Sequence, residues 1–514
     1  MKHSTAQDTK SLSGFSALGR LARLGSRGLA PIVACIVLSA LSGCGRPGDG
    51  GASSVYRIPW PTAGAEGSGA ENKGALKLQD IEIRTLTDPE HFSGATAQIL
   101  VEPGDGGGKL SGTLPVGRYI RTSSGVNIPS DYSTLQAVTV YAHQERLHDL
   151  DAQAGAAESL SWPLSLGLDV RIVSADGTVR NNAVYDSKLD SLLIVPYSEK
   201  YLPISMSPGI LAHEHFHFIF QKIVMSRVPD GGLQTSCRSG IAPAENESED
   251  GSGGDSDNQL VFKNDGTSNG TKIDSKVSRL QKTAQAMPPR VYNAYLLRAM
   301  NEGFADYWGW LYSQDDSFLA KSLPSEKESR RLDYGPGRLP TERLIRTLLV
   351  DREKPDAIIS ESRRAHGAYI LGTQYARFLR SLAGDLVKTG LPISEARLAV
   401  ARALVKTLPL IAEQVFAGYL TKFMDPNALL KPLLENLPPL SREVCLRVND
   451  FYSPMNAYVK PKPCEKFSLV TPVTDGSTEL VPVAPVKPVA IPVKKMTPPA
   501  LPPPVITPAP EVPS

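Results

Sequence analysis

No charge of one sign dominates this chain: 55 Lys and Arg stand against 53 Asp and Glu in 514 residues. A nucleic-acid binder carries a basic stripe for the phosphate backbone, and none is present, so nucleic acid is not an expected partner. Long apolar runs are missing as well. The stretch Leu29–Leu41 has 13 residues, short of the roughly 20 that cross a bilayer as a helix. Cysteine is scarce at 5 and histidine at 8. That scarcity makes any local cluster of histidines informative. Gly and Pro are plentiful, at 43 and 42, and 514 residues leave room for two or three domains with a sizeable core.

The histidines do cluster. Ile210-Leu211-Ala212-His213-Glu214-His215-Phe216-His217-Phe218-Ile219-Phe220 contains H-E-x-x-H. On a helix, His213 and His217 lie one turn apart on one face, where both imidazoles can reach one metal ion; a strand would separate them. Ser207 and Pro208 supply an N-cap and a first-turn proline, and the apolar neighbours predict a largely buried helix. Burying three His and a Glu without a ligand would be expensive. Two neutral imidazoles and a carboxylate suit one zinc ion with a fourth position open to water, and Glu214 is placed to take that water's proton. His215 points away from the two candidate ligands and is expected to be structural.

The rest of the chain divides by composition. Lys2, Lys10, Arg20, Arg23 and Arg27 precede the apolar run, as in a signal peptide over 1–43. The run closes on Leu41-Ser42-Gly43-Cys44, which resembles the bacterial lipobox. That resemblance implies a lipid on Cys44, a membrane anchor and a place in the bacterial cell envelope; Gly45 in place of Asp leans toward the outer membrane. Residues 44–76, rich in Gly, Ser and Ala, predict a flexible tether. Residues 77–160 predict short strands and then a helix over 131–150, with His143 and His148 on its surface. Segment 161–228 predicts a strand over 168–173, a hairpin of Asn182–Asp186 with Leu192–Val195, and the His-bearing helix. An acidic, Gly/Ser-rich insertion over 229–286 is expected to be mobile, and lacks the spaced ligands of a calcium loop. Residues 287–470 read as helical. The tail 471–514, with 13 Pro in 44 residues, predicts polyproline or disorder and a contact for the envelope or a partner protein. Of the cysteines outside the first 44 residues, Cys445 and Cys464 are nearest in sequence, Cys237 is left over, and the connectivity stays open.

The segment after Pro288-Pro289 carries Asn301-Glu302-Gly303-Phe304-Ala305-Asp306, with Glu302 and Asp306 on one helical face. H-E-x-x-H followed by N-E-x-x-x-D resembles the thermolysin-like gluzincin metallopeptidases, over roughly residues 165–385. The resemblance implies an α+β, zincin-like fold, with a mixed N-terminal part carrying an edge strand and a helical C-terminal part. It implies His213, His217 and Glu302 as ligands of one zinc ion, Glu214 as general base, and Asp306 and Asn301 as the groups that orient the histidines. It also implies Asn182 and Ala183 on a peptide-binding edge strand, and His366 or Tyr369 as stabiliser of the oxyanion. The chain departs from the family in a longer gap between His217 and Glu302, in unrecognisable calcium ligands and in a C-terminal region with no motif match.

The expected activity is that of an exported, membrane-anchored zinc metalloendopeptidase acting on peptide or protein substrates. No G-x-M-E-N-like exopeptidase signature occurs upstream of the helix. Two alternatives keep the zinc site: an amidase acting on cell-wall peptides, and a surface lipoprotein that binds or assembles partners without catalysis.

Overall fold

The structure, a computed structural model, describes residues 53–61, 76–105, 109–174, 177–228 and 273–446, less 336, 338 and 443. The signal segment, Cys44, most of the acidic stretch, Cys237, Cys464 and the Pro-rich tail lie outside the described residues.

The first half supplies the strands. They are β1 (Ser54–Pro61), β2 (Leu76–Ile83), β3 (Leu86–Asp88), β4 (Ser93–Gly94), β5 (Ala97–Asp105), β6 (Leu110–Thr113), β7 (Tyr119–Arg121) and β8 (Asn127–Pro129). Helix α1 (Tyr132–Ala154) follows, then β9 (Leu164–Leu168), β10 (Val173–Ser174), β11 (Gly177–Thr178), β12 (Ala183–Asp186) and β13 (Ser191–Ile194). The second half is helical: α2 (Pro208–Ile223), α3 (Ile273–Gln285), α4 (Pro289–Ser313), α5 (Glu342–Leu348), α6 (Glu361–Lys388), α7 (Ile393–Gly418) and α8 (Leu430–Glu435). This is an α+β chain with open mixed sheets, as expected.

One sheet runs β2-β1-β8-β7 and a larger one β12-β13-β9-β5-β4-β3, with β6 also paired to β5. Strands β13, β9 and β5 are parallel neighbours, while β12 closes a hairpin with β13 and forms the edge. The parallel strands read Leu-Ser-Leu-Gly-Leu and Ser-Leu-Leu-Ile, apolar enough to be covered on both faces. Helix α1 starts where Asp131 accepts from the Thr134 N–H at 2.8 Å and stops at Gly155, whose φ of 82° suits a residue without Cβ. Helix α2 is buried from Pro208 through Phe220. Its Ser207 takes the N-cap position but makes no side-chain cap hydrogen bond, so Pro208 alone marks the start.

Helices α2 and α4 meet through rings: Phe216 lies 5.2 Å from Trp308 and 6.3 Å from Phe304. Phe318 fills the notch left by Gly209 and Gly309, where added Cβ atoms would fall 2.6 and 2.7 Å from its side chain. On its other side α4 touches α6 backbone to backbone. A Cβ on Gly303 would come within 2.2 Å of the Gly372 carbonyl oxygen. No side chain fits between them.

Four expectations are corrected. Residues 54–61 are not tether but β1, because Tyr56 and Ile58 alternate with less buried neighbours and bury at 1 % and 0 % exposure. His143 is not on the surface. It is buried, its ring stacked 4.3 Å from Trp60 of β1 and its Nδ1 2.8 Å from the Tyr312 hydroxyl. The strand expected over 168–173 ends at Leu168, where Asp169 turns the chain with a φ of 54°. Within the expected insertion, residues 273–285 form α3. Cys445 is disulfide-bonded, and every other cysteine lies outside the described residues. Among the described residues no helix is long and apolar enough to cross a membrane.

Two predictions follow from this packing. Burial pushes His143 down from its ordinary 6.5 to about 3. Between those values the unfolded chain binds a proton there that the folded chain does not, so stability is full above pH 6.5 and falls as pH drops. This residue contributes a slope of about 1.4 kcal/mol per pH unit, and urea melts of His143→Phe between pH 4 and 6.5 should lose that slope. Gly303→Ala should lower stability by about 1–3 kcal/mol through overpacking against α6, read as an earlier urea midpoint at pH 7.

Candidate metal centre

Helix α2 presents His213 and His217 from successive turns, and α4 faces them with Glu302. His213 Nε2 and His217 Nε2 are 3.2 Å apart. Glu302 Oε2 is 3.4 Å from the first and 4.0 Å from the second. Atoms bound tetrahedrally to one ion at about 2.0–2.1 Å stand about 3.3–3.4 Å from one another. Two sides of the triangle are close to that size, and the third, at 4.0 Å, is longer.

The outer hydrogen bonds settle which nitrogens carry lone pairs. His217 Nδ1 lies 2.9 Å from Asn301 Oδ1, and His213 Nδ1 lies 3.0 Å from Asp306 Oδ1. Both oxygens accept, so each Nδ1 donates and each Nε2 turns a lone pair toward the other. Glu302 Oε2 joins them, buried, with His213 Nε2 as its nearest partner at 3.4 Å. Three electron-rich atoms crowd one point, an arrangement that calls for a positive charge between them. The acid–base behaviour expresses the same demand. Burial opposes protonation of His213, yet hydrogen bonds to Asp306 and Glu302 outweigh it and raise its pKa to about 9. Glu302 goes down to about 2, burial being overcome by its bond to His213 and the nearby imidazole charges. His217, with burial dominant, falls to about 4. The donor set fits a metal cation.

Glu214 also lies within 4.8 Å of the two histidines, measured between ligand atoms. Its Oε2 is engaged elsewhere, accepting the Tyr185 N–H of β12 at 3.1 Å. Burial above all, with the Glu302 charge adding to it, pushes Glu214 up to about 7 against the opposing pull of His213. The carboxylate is thus tied to the edge strand beside the histidines, whereas Glu302 Oε2 points between them.

The other expected residues divide. Asn301 lies against His217 and Asp306 against His213. His215 turns away, its Nε2 2.7 Å from Asp151 of α1, both side chains fully buried. Ala183 and Asn182 stand at the sheet edge above α2. The Val195 N–H donates to the Asn182 carbonyl, so the alternation along β12 turns the backbone groups of Ala183 and Tyr185 away from β13. Tyr369 comes to the site. Its phenol feels the charges of Glu302, Arg330, Arg298 and Glu214, and burial raises its pKa well above the ordinary value. His366, one turn earlier on α6, is exposed and makes no hydrogen bond or ion pair among the described residues.

Sequence reasoning missed Arg330. Its guanidinium reaches Asp306 Oδ1 at 2.5 Å, lies 3.6 Å from Glu302 Oε2 and sits 4.8 Å from the centre of the Tyr369 ring. Burial weakens its charge, but Asp306 and Glu302 more than compensate and hold it protonated. Arg330 comes from a coil between α4 and α5 with no motif around it, and nothing distinguishes it in sequence from the other cations. No family model matches the chain, and no curated protein matches it.

Asp306→Asn keeps an oxygen near His213 but weakens the acceptor. If the centre takes a divalent metal ion, competition with a chelating dye should show it bound about 10- to 100-fold more weakly than in the parent.

Proposed function

We propose that this chain is a zinc-dependent metalloendopeptidase with a zincin-like arrangement of its two metal-bearing helices. The observation that carries the reading is the convergence of His213 Nε2, His217 Nε2 and Glu302 Oε2, with a second carboxylate, Glu214, beside them and tied to an edge strand. A site built only to hold a metal has no use for that extra acid.

His213, His217 and Glu302 would hold the zinc, which when bound would lower the pKa of a water molecule and polarise a carbonyl. Glu214 takes the proton of the attacking water and delivers it to the departing amine. Its bond to the Tyr185 N–H fixes the carboxylate relative to β12, so base and substrate strand share one reference point. The outward backbone of Ala183 pairs with an extended peptide by strand addition, and Asn182 sets the start of that strand. Tyr369, rather than the exposed His366, donates its hydroxyl to the oxyanion; its raised pKa keeps the proton in place for that bond. Arg330 keeps Asp306 oriented on His213.

The lipobox-like Cys44 and the preceding signal-like segment support export and anchoring in the bacterial envelope. The natural substrates are then peptides or proteins of that compartment.

The test pairs zinc content with casein hydrolysis for the parent and Glu214→Gln. One zinc in each, with activity lowered by about 100-fold or more in the variant, is expected for loss of a general base. Equal activity in the two proteins would defeat the assignment of Glu214, and a parent that binds no zinc would defeat the site.

A further inference from the structure

One turn before Glu302 on α4, Arg298 occupies the same helical face as the ligand. Its side chain is nine-tenths buried, with 10 % exposure. Nε has no hydrogen-bond partner, and the guanidinium makes no hydrogen bond among the described residues. Its ion-pair contact is with Glu361 at 3.7 Å, beyond hydrogen-bonding reach. Glu361 is 68 % exposed and is already held by Arg364, whose Nε lies 3.1 Å from it. Arg298 thus keeps a charge that its surroundings leave incompletely answered, and a buried guanidinium so placed is costly without an anion.

Its position says where the anion belongs. Arg298 acts electrostatically on the Tyr369 phenol, together with Glu302, Arg330 and Glu214. It stands one turn before Glu302 on α4 and contacts Glu361 in the first turn of α6, so it lies where the helices carrying Glu302 and Tyr369 meet. Arg330, the other guanidinium there, is already committed to Asp306. Arg298 has only the exposed Glu361 opposite it, at 3.7 Å.

Resting on the peptidase reading, we propose that Arg298 is a specificity-determining residue: its guanidinium binds a carboxylate of the substrate and selects acidic peptides at this centre. A guanidinium fork matches a carboxylate bidentately, and a lysine would not reproduce that geometry. Two sources supply the same chemistry, an Asp or Glu side chain within the peptide or a free C-terminal carboxylate.

The experiment uses the full-length zinc-loaded protein and four peptides of equal length. One has an internal Glu and an amidated end, one neutral side chains and a free C-terminus, one neutral side chains and an amidated end, and one an internal Lys and an amidated end. In the parent, kcat/KM for one of the first two should exceed that for the neutral amidated peptide by about 10- to 100-fold, the range of a charge-assisted contact. Whichever peptide shows the excess identifies the carboxylate. Arg298→Met should abolish the excess, chiefly through KM, while leaving the neutral amidated peptide within about twofold; Arg298→Lys should restore part of it.

Equal rates on all four peptides in the parent, or a preference undiminished in Arg298→Met, would overturn the proposal and leave the peptidase reading standing. If no peptide is cleaved, the peptidase reading fails separately. Fluorescence anisotropy of the same labelled peptides then decides on Arg298: carboxylate-dependent binding lost in Arg298→Met supports it, and its absence in the parent overturns it. A variant with altered thermal unfolding is replaced by Arg298→Gln and judged by the same ratio.

Discussion

Three electron-rich atoms held close together in a buried site are the constraint around which this structure is built. Lone pairs at the separations of His213, His217 and Glu302 repel one another, and only surrounding structure can keep them there. Asn301 and Asp306 fix the rings from behind, and Arg330 restrains Asp306. The aromatic contacts of Phe216 with Phe304 and Trp308 fix the spacing of the two helices. Behind α2, the buried His215–Asp151 pair ties it to α1, and α1 reaches β1 through the stack of His143 on Trp60. A chain of contacts therefore runs from the first described strand to the ligands.

That chain bears on how the molecule is divided. The sequence separates residues 77–160 from the part that follows, because strands and turns give way to helices. In the fold, β5 lies between β9 and β4 in the larger sheet and α1 packs on α2. The segment is thus an interior part of the site-bearing body. The long gap between His217 and Asn301, 84 positions, has a different physical status. Closing a flexible loop costs only about 0.6 kcal/mol for each doubling of its length. Two helices already anchored by their own packing can therefore tolerate an extended connection.

The candidate site was legible where its chemistry follows helical periodicity. His213 and His217, and likewise Glu302 and Asp306, are four residues apart, and that spacing alone puts each pair on one face. The edge hairpin was legible from alternation and its turn residues. Arg330 was not, because it reaches the site from a coil through tertiary folding that no local period encodes. His143 misled because a polar residue in a long helix reads as solvated; its burial depends on Trp60, whose strand was hidden in Gly-rich surroundings. Tyr369 and His366 share a helix and a turn. Only the packing of α6 against α4 separates the one at the centre from the one in solvent.

The contact of Gly303 with Gly372 has a mechanical consequence. At that crossing the two backbones meet with no side chain between them to change rotamer, compress or slide. Helices α4 and α6 should consequently move as one stiff plate carrying Arg298, Glu302, Asp306 and Tyr369. Any relative motion at the metal centre must then come from the opposite side, where β12 is the edge strand of the larger sheet. Compliance and rigidity would thus be divided between the two sides of the centre.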